Sequence, residues 1–210
     1  MANDRVSLAN LGLQMIGAKR IVAFDEASAE ARAVSAVYDD LRDAVLCETP
    51  WSFAQKRVAF TILDITPVFT DDRMTIVYAR PSDLLKLNFL SDASAIVKVE
   101  HDGIYSDTRN LKAIYTFRND DPTTYFSAFT LALATRIAAE LCFSLTESSA
   151  KAERLYELYE SVRLPRAVAE DSQQGTPLQM LQDEWTFARV YGNANLAPQT
   201  PGAQTWHPLW

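Results

Sequence analysis

The sequence predicts a mainly α fold: a helical bundle of about four helices, a small inserted β module and an extended C-terminal tail. Three observations carry that expectation. Residues 28–49 and 125–145 place apolar side chains at helical spacing, the second run on nearly every face. Residues 57–119 change to short alternating runs broken by turn signals. From Gly192 to Trp210 there is no Asp, Glu, Lys or Arg, and Pro198, Pro201 and Pro208 exclude helix. The expected division is a helical domain of residues 1–56 and 120–172, a β-rich module of 57–119 and a tail of 173–210.

Taken in order, Asn3 or Asp4 can cap a first helix with Val6, Leu8, Leu11, Met15 and Ile16 as its apolar contacts. Gly17 is placed to end it in left-handed geometry. A connection through Ile21 and Phe24 leads to the central helix. There Ser28 can accept from a free amide of the first turn, and Glu30 complements the helix dipole. Val34, Val37, Tyr38, Leu41 and Val45 form one stripe. Arg32, Ser35, Asp39, Arg42 and Asp43 lie off it and are expected to face water or a neighbour. Pro50 stops the helix by disfavouring helical geometry at Thr49. Trp51 and Phe53 follow as an aromatic plug, and with Tyr38 and Leu41 make the expected structural core.

In the β module, residues 58–63 and 74–78 read as strands, with a loop at Pro67 and Asp71-Asp72 between them. Pro81-Ser82-Asp83 is a turn signal. Leu84 to Leu90 is either a strand or a short helical turn. Residues 95–100 and 104–105 suggest a hairpin around His101-Asp102-Gly103, with Asp-Gly supplying positive φ angles. Residues 113–117 close the module.

Helices resume after Pro122. In the apolar run of 125–145, Arg136 and Glu140 are the only charges, four residues apart and able to pair. Such a helix is central to a core or wedged between subunits, and Phe126, Phe129, Arg136 and Glu140 are the interface candidates. Ser144 with Glu147 suggests a capping box that starts the next helix, flanked by Glu147–Lys151 and Glu160–Arg163 pairs. Pro165 should kink or end that helix. Beyond QQGTP at 173–177, Trp185, Phe187, Val190 and Tyr191 form a last aromatic patch.

At 48% hydrophobic residues, 210 positions can bury a sizeable core. Twenty basic against 27 acidic residues, a net charge of −7, argues against a nucleic-acid clamp. Cys47 and Cys142 are too few for a disulfide framework or a zinc site. The N-terminus lacks the basic start and apolar core of a signal peptide, and no apolar run is expected to span a membrane. His101 and His207, the only histidines, sit in a turn and in the tail. No phosphate loop, nucleotide fingerprint or HExxH occurs. The doublets Asp39-Asp40, Asp71-Asp72 and Asp120-Asp121, with Asp43, single out no pair across a cleft. No catalytic, metal or cofactor residue is therefore expected, and the chain reads as a non-enzyme.

The stretch DE-x-S-x-EAR-x(5)-YDD-x-RD-x-VL from Asp25, followed by PW-x-FA-x-KR ending at Arg57, resembles the tail tubular protein A family of short-tailed phages. The likeness extends more loosely to ANLGLQMIGAKRI at 9–21, Arg80-Pro81-Ser82-Asp83-Leu84-Leu85, the apolar helix near Leu145, and Asp171 to Leu178. It implies a head-to-tail adaptor, a structural virion protein. Copies would form a ring, dodecameric as in the family, between the portal and a tail nozzle of the tail tubular protein B kind. Viral DNA would pass through the channel without specific binding. The resemblance also implies a C-terminal extension docked on the portal, for which Trp206, Pro208, Leu209 and Trp210 are the candidate anchors. Synthesis in the host cytoplasm and residence in the virion neck follow, with no membrane partner. Two alternatives stand beside it: a cell-wall-degrading hydrolase using a carboxylate pair, and a siphophage-type head-completion connector.

Overall fold

A computed structural model describes residues 4–64, 74–92 and 94–174. The expected loop at Pro67 and Asp71-Asp72, the aromatic patch from Trp185 and the tail lie outside the described residues.

Helix α1 (Arg5–Ile16) begins where the Asp4 carboxylate accepts from the Ser7 amide at 2.5 Å. It ends at Gly17, whose φ of 81° lets its own amide reach back to the Gln14 carbonyl and the Ala18 amide to the Leu13 carbonyl. In α2 (Ala29–Glu48), the Ser28 hydroxyl accepts from the Ala31 amide at 3.1 Å. The segment between the two helices is held by Asn10 of α1. Its side-chain amide donates to the Ile21 carbonyl and accepts from the Ile21 amide, both at 2.8 Å.

Helix α3 (Ser127–Thr146) is the centre of the core, with twelve buried residues. Most of its apolar surface is covered within the chain by α1, α2 and the C-terminal helices, with Phe143 left exposed. Gly12 allows α1 its close approach: a Cβ there would stand 3.0 Å from the Ala134 carbonyl oxygen. By length and composition α3 would also suit a membrane span, contrary to the expectation of no such run, yet 67% of its most apolar window is buried inside the fold. That is the signature of a core helix.

The expected capping box at Ser144 and Glu147 does not form. Leu145 packs on the core and prolongs α3, and the Ser144 hydroxyl donates back to the Leu141 carbonyl. Glu147 turns the chain with φ 53°, and Ser148 caps α4 (Ser149–Leu158). Neither expected pair, Glu147–Lys151 or Glu160–Arg163, is among the ion pairs of the described residues. Lys151 instead donates to the Ile16 carbonyl at the end of α1, at 2.8 Å. A π turn (Tyr159–Arg163) joins α4 to α5 (Leu164–Ser172). The Leu164 amide bonds to the Tyr159 carbonyl, and the helix does not end at Pro165 but runs on through it into α5 after the π turn.

The strands overturn the expectation of a mainly α bundle with a small β insert. Among the described residues 51% are helical and 17% are in strands, a mixed α/β fold. β1 (Gln55–Ala59), β6 (Lys112–Phe117) and β3 (Leu84–Leu90) form one antiparallel sheet in that order. β2 (Ile76–Tyr78), β5 (Ile104–Ser106) and β4 (Val97–Val99) form a second. Between them Phe60, Tyr78, Leu84, Ile104, Leu111 and Tyr115 bury one another in a hydrophobic core separate from the helical one. Short runs look subordinate one at a time; six of them closing over a shared core are a full layer of the fold. Pairing with β6 decides that Leu84 to Leu90 is a strand, with two register shifts.

The hairpin of β4 and β5 is formed, with the Glu100 amide donating to the Gly103 carbonyl at 2.9 Å. Its glycine serves a different end from the expected one. Gly103 does not have positive φ. It is required for room, because a Cβ there would lie 2.7 Å from Val77 Cγ1 and 2.9 Å from the Tyr78 carbonyl oxygen.

Candidate functional site

The residues of the Tyr38–Arg57 stretch meet where the helices join the β module. Trp51 is fully buried, and its indole N–H donates to the Val45 carbonyl at 2.9 Å. Its ring packs edge-on against Phe129 at 5.0 Å and leans on Phe53 and Phe126. Phe53 in turn meets Tyr125 and Phe129 at 5.3 and 4.8 Å. Trp51 thus sits at the joint as an aromatic plug. Tyr38 and Leu41 are buried on α2, with Phe24 edge-on to Tyr38 at 5.2 Å.

A charged chain crosses the same joint. The helical spacing assigns Arg42 to water or a neighbour, but its side chain is only 5% exposed. It donates to Asp39 at 2.8 Å and to one oxygen of Asp43 through Nε at 3.0 Å and Nη2 at 2.8 Å. The other oxygen of Asp43 accepts from Arg118, just past β6, at 2.7 Å. Asp39 also accepts from Arg5 of α1 at 2.6 Å, and the Arg5 guanidinium lies over the rings of Phe24 and Tyr38. Burial disfavours the Arg42 charge, and Asp43 and Asp39 more than offset it. One line of alternating charge therefore ties α1 and α2 to the exit of the β module. Helical spacing allows the Arg42 pairs with Asp39 and Asp43 on the same helix, but it cannot reveal the extension to Arg5 and Arg118, which come from elsewhere in the chain.

The C-terminal helices are tied to the joint as well. Asp171 accepts from the Ser52 hydroxyl at 2.6 Å and from its amide at 3.1 Å, across 119 residues. The Tyr159 hydroxyl donates to Glu48 at 2.6 Å, and burial together with that carboxylate raises the phenol above its ordinary range.

The four expected interface residues do not form one surface. Phe129 is fully buried and unavailable to a neighbour while the chain stays folded, whereas Phe126 packs against the same core but is only partly buried. Arg136 and Glu140 do pair, at 3.6 Å, on the edge of a groove between α3 and α4. There the Arg136 guanidinium lies over the rings of Tyr156 and Tyr159, at 4.7 and 5.9 Å from their centres. Trp206, Pro208, Leu209 and Trp210 lie outside the described residues.

Among groups with possible chemistry, Cys142 is buried at the end of α3, and burial pushes the Cys47 thiol up. His101 is exposed in its turn. Asp121 accepts from the amide and hydroxyl of Thr123, capping a short 3-10 turn. No group of three or more His, Cys, Asp or Glu among the described residues could hold a metal ion.

Two exposed surfaces stand out that the hydrophobic pattern did not indicate. On the sheet of β1, β6 and β3, Ile114 is directly paired with Arg57 on one side and Phe89 on the other. Directly paired residues share a face of the sheet, so these three stand together. They line a hollow of about 490 Å³ with Lys112, and Phe89 is 55% exposed there. The second surface is the groove of α3 and α4, about 650 Å³, lined by Glu140, Glu153, Glu157 and Glu160 around Arg136 and the half-exposed Tyr156. Comparison with known proteins finds no family model and no curated protein that matches this chain.

Proposed function

We propose that the chain is a head-to-tail adaptor of the tail tubular protein A kind, a structural component of a short-tailed phage virion. The observation that carries this is where the family-like residues fall. Asp39, Arg42 and Asp43 on α2 and Trp51 and Phe53 in the connection after it gather where α2 leads into the β module. A joint closed by an ion chain with the buried Arg42 at its centre and by an aromatic plug suits a part whose task is to hold two layers rigidly. In this reading copies form a ring, dodecameric as in the family, between the portal and a tail nozzle, and the genome passes through its channel. The net charge of −7 favours a neutral or acidic lumen along which DNA slides, since each retained cation–phosphate contact would add salt-dependent grip.

Since α3 is largely covered within the chain, it offers a ring contact only Phe143 and its edge of the α3–α4 groove, and the rest of that contact must come from other surfaces. The uncharged tail with Trp206 and Trp210 remains the proposed portal anchor, its copies reinforcing one another by avidity. Electron microscopy of the virion, with this chain located in the density, tests the reading. A ring between portal and nozzle is expected; absence of the chain from the virion refutes it. Deleting residues 193–210 should leave a folded chain that no longer joins portal-bearing heads. Normal joining by the truncated chain would refute the anchor.

A further inference from the structure

The sheet hollow and the helical groove are opposite in character and share no element. The hollow is apolar at its floor, Ile114 and Phe89, and carries Arg57 and Lys112, neither with an ion-pair partner among the described residues. The groove sets four glutamates against Arg136. Glu153, Glu157 and Glu160 recur at i, i+4 and i+7 on the exposed side of α4 and the turn after it, where repelling like charges disfavour the helix. No salt bridge among the described residues neutralises those three, and Tyr156 stands exposed beside them.

The geometry points to a heterologous contact between copies: the face of Arg57, Phe89 and Lys112 on one chain seats on the groove of Glu153, Tyr156 and Glu157 on the next. The choice of a second copy rests on the connector reading and on complementarity of charge within one chain. Phe89 loses its exposed ring to a groove with an aromatic wall, and two cations meet an acidic stripe. Because the two surfaces differ, a pair of copies keeps one face and one groove free, on opposite members. The contact therefore propagates, and it closes into a ring when the rotation per copy allows.

A charge-swap experiment on the full chain tests this. Sedimentation or mass photometry of the wild type should show concentration-dependent self-association that weakens as salt rises. R57E/K112E should raise the apparent dissociation constant about a hundredfold, and E153K/E157K similarly. An equimolar mixture of the two variants should restore association. In it the reversed face of one meets the reversed groove of the other, while the remaining native surfaces pair as before. Thermal midpoints equal to wild type exclude misfolding, and Phe89→Ser tests the same face without a charge change should a double variant lose stability.

A wild type that stays monomeric, a double variant that associates normally, or a mixture that fails to recover would each overturn the pairing. So would a face that binds single-stranded oligonucleotide through Arg57 and Lys112 in a chain that does not self-associate. A ring seen in the virion with these surfaces apart would sink the pairing and leave the connector reading intact. Rescue by mixing, in a chain absent from the virion, would do the reverse.

Discussion

Asp43 on α2 accepts a hydrogen bond at 2.7 Å from Arg118, 75 residues further along, where the chain leaves the β module. With its other oxygen it holds the buried Arg42. The two contacts differ in worth, because Arg118 is about half exposed and Arg42 is not.

Asp43→Ala should therefore cost about 3–5 kcal/mol, since it strips a buried guanidinium of its main partner. Arg118→Ala should cost under about 1 kcal/mol, as exposed pairs do. Urea unfolding of the two variants checks the ranking. Equal losses would show that Arg42 is rescued by Asp39.

Asp83 and Tyr115 make stability depend on pH at both extremes. Burial pushes the Asp83 carboxyl up, but hydrogen bonds from Lys56 at 2.6 Å and Tyr115 at 3.0 Å, with the Lys56 charge, hold it below its ordinary 3.8. A depressed carboxyl contributes stability that is complete above 3.8 and is lost as pH falls through the lower folded value. Burial and the bond to Asp83 push the Tyr115 phenol from 10.0 up to about 12. A raised phenol contributes stability present below 10.0 and lost as pH rises towards about 12. Asp83→Asn should flatten the acid limb of a thermal-midpoint profile. Tyr115→Phe should flatten the alkaline one. A profile unaltered by both would mean that other groups govern it.

Trp51→Ala should cost about 3–5 kcal/mol, because a fully buried indole leaves a cavity among Phe53, Phe126 and Phe129. Trp51→Phe should cost less, with loss of the bond to Val45 and part of the volume. Chemical denaturation followed by circular dichroism measures both. An unchanged midpoint for the alanine variant would place the indole outside the cooperative core.

Two glycine substitutions should act by different routes. Gly103→Ala should cost about 1–3 kcal/mol by overpacking against Val77 and the Tyr78 carbonyl. Gly17→Ala meets no atom within 4 Å and should cost about 1–2 kcal/mol through its φ of 81°. Replacing Gly17 with Asn, which tolerates left-handed geometry, should recover part of that loss, whereas Gly103→Asn should worsen the clash. Thermal unfolding of the four variants separates the two causes.

The helix boundaries that depend on local chemistry were legible in the chain. Asp4, Gly17, Ser28 and Pro50 act within a few residues of themselves, so their meaning is present in the sequence around them. The apolar stripe of α2 is legible for the same reason: Val34, Tyr38, Leu41 and Val45 recur at helical spacing and are all buried. The plug position of Trp51 followed from its place between a helix stop and a strand.

Everything that turns on a partner distant in the chain took its form in the folded molecule. Arg42 pairs with Asp39 and Asp43 on its own helix, but the extension of that ionic path to Arg5 and Arg118 joins residues far apart in the chain, which no spacing rule encodes. Gly103 is needed because another strand passes above it. Most of the apolar excess of α3 is satisfied inside the chain by α1, α2 and the helices beyond it. Six short strands make a second core only once their inner faces meet. Local propensity acts over one turn of helix, whereas burial and charge pairing act over contact distance, and only folding converts one into the other.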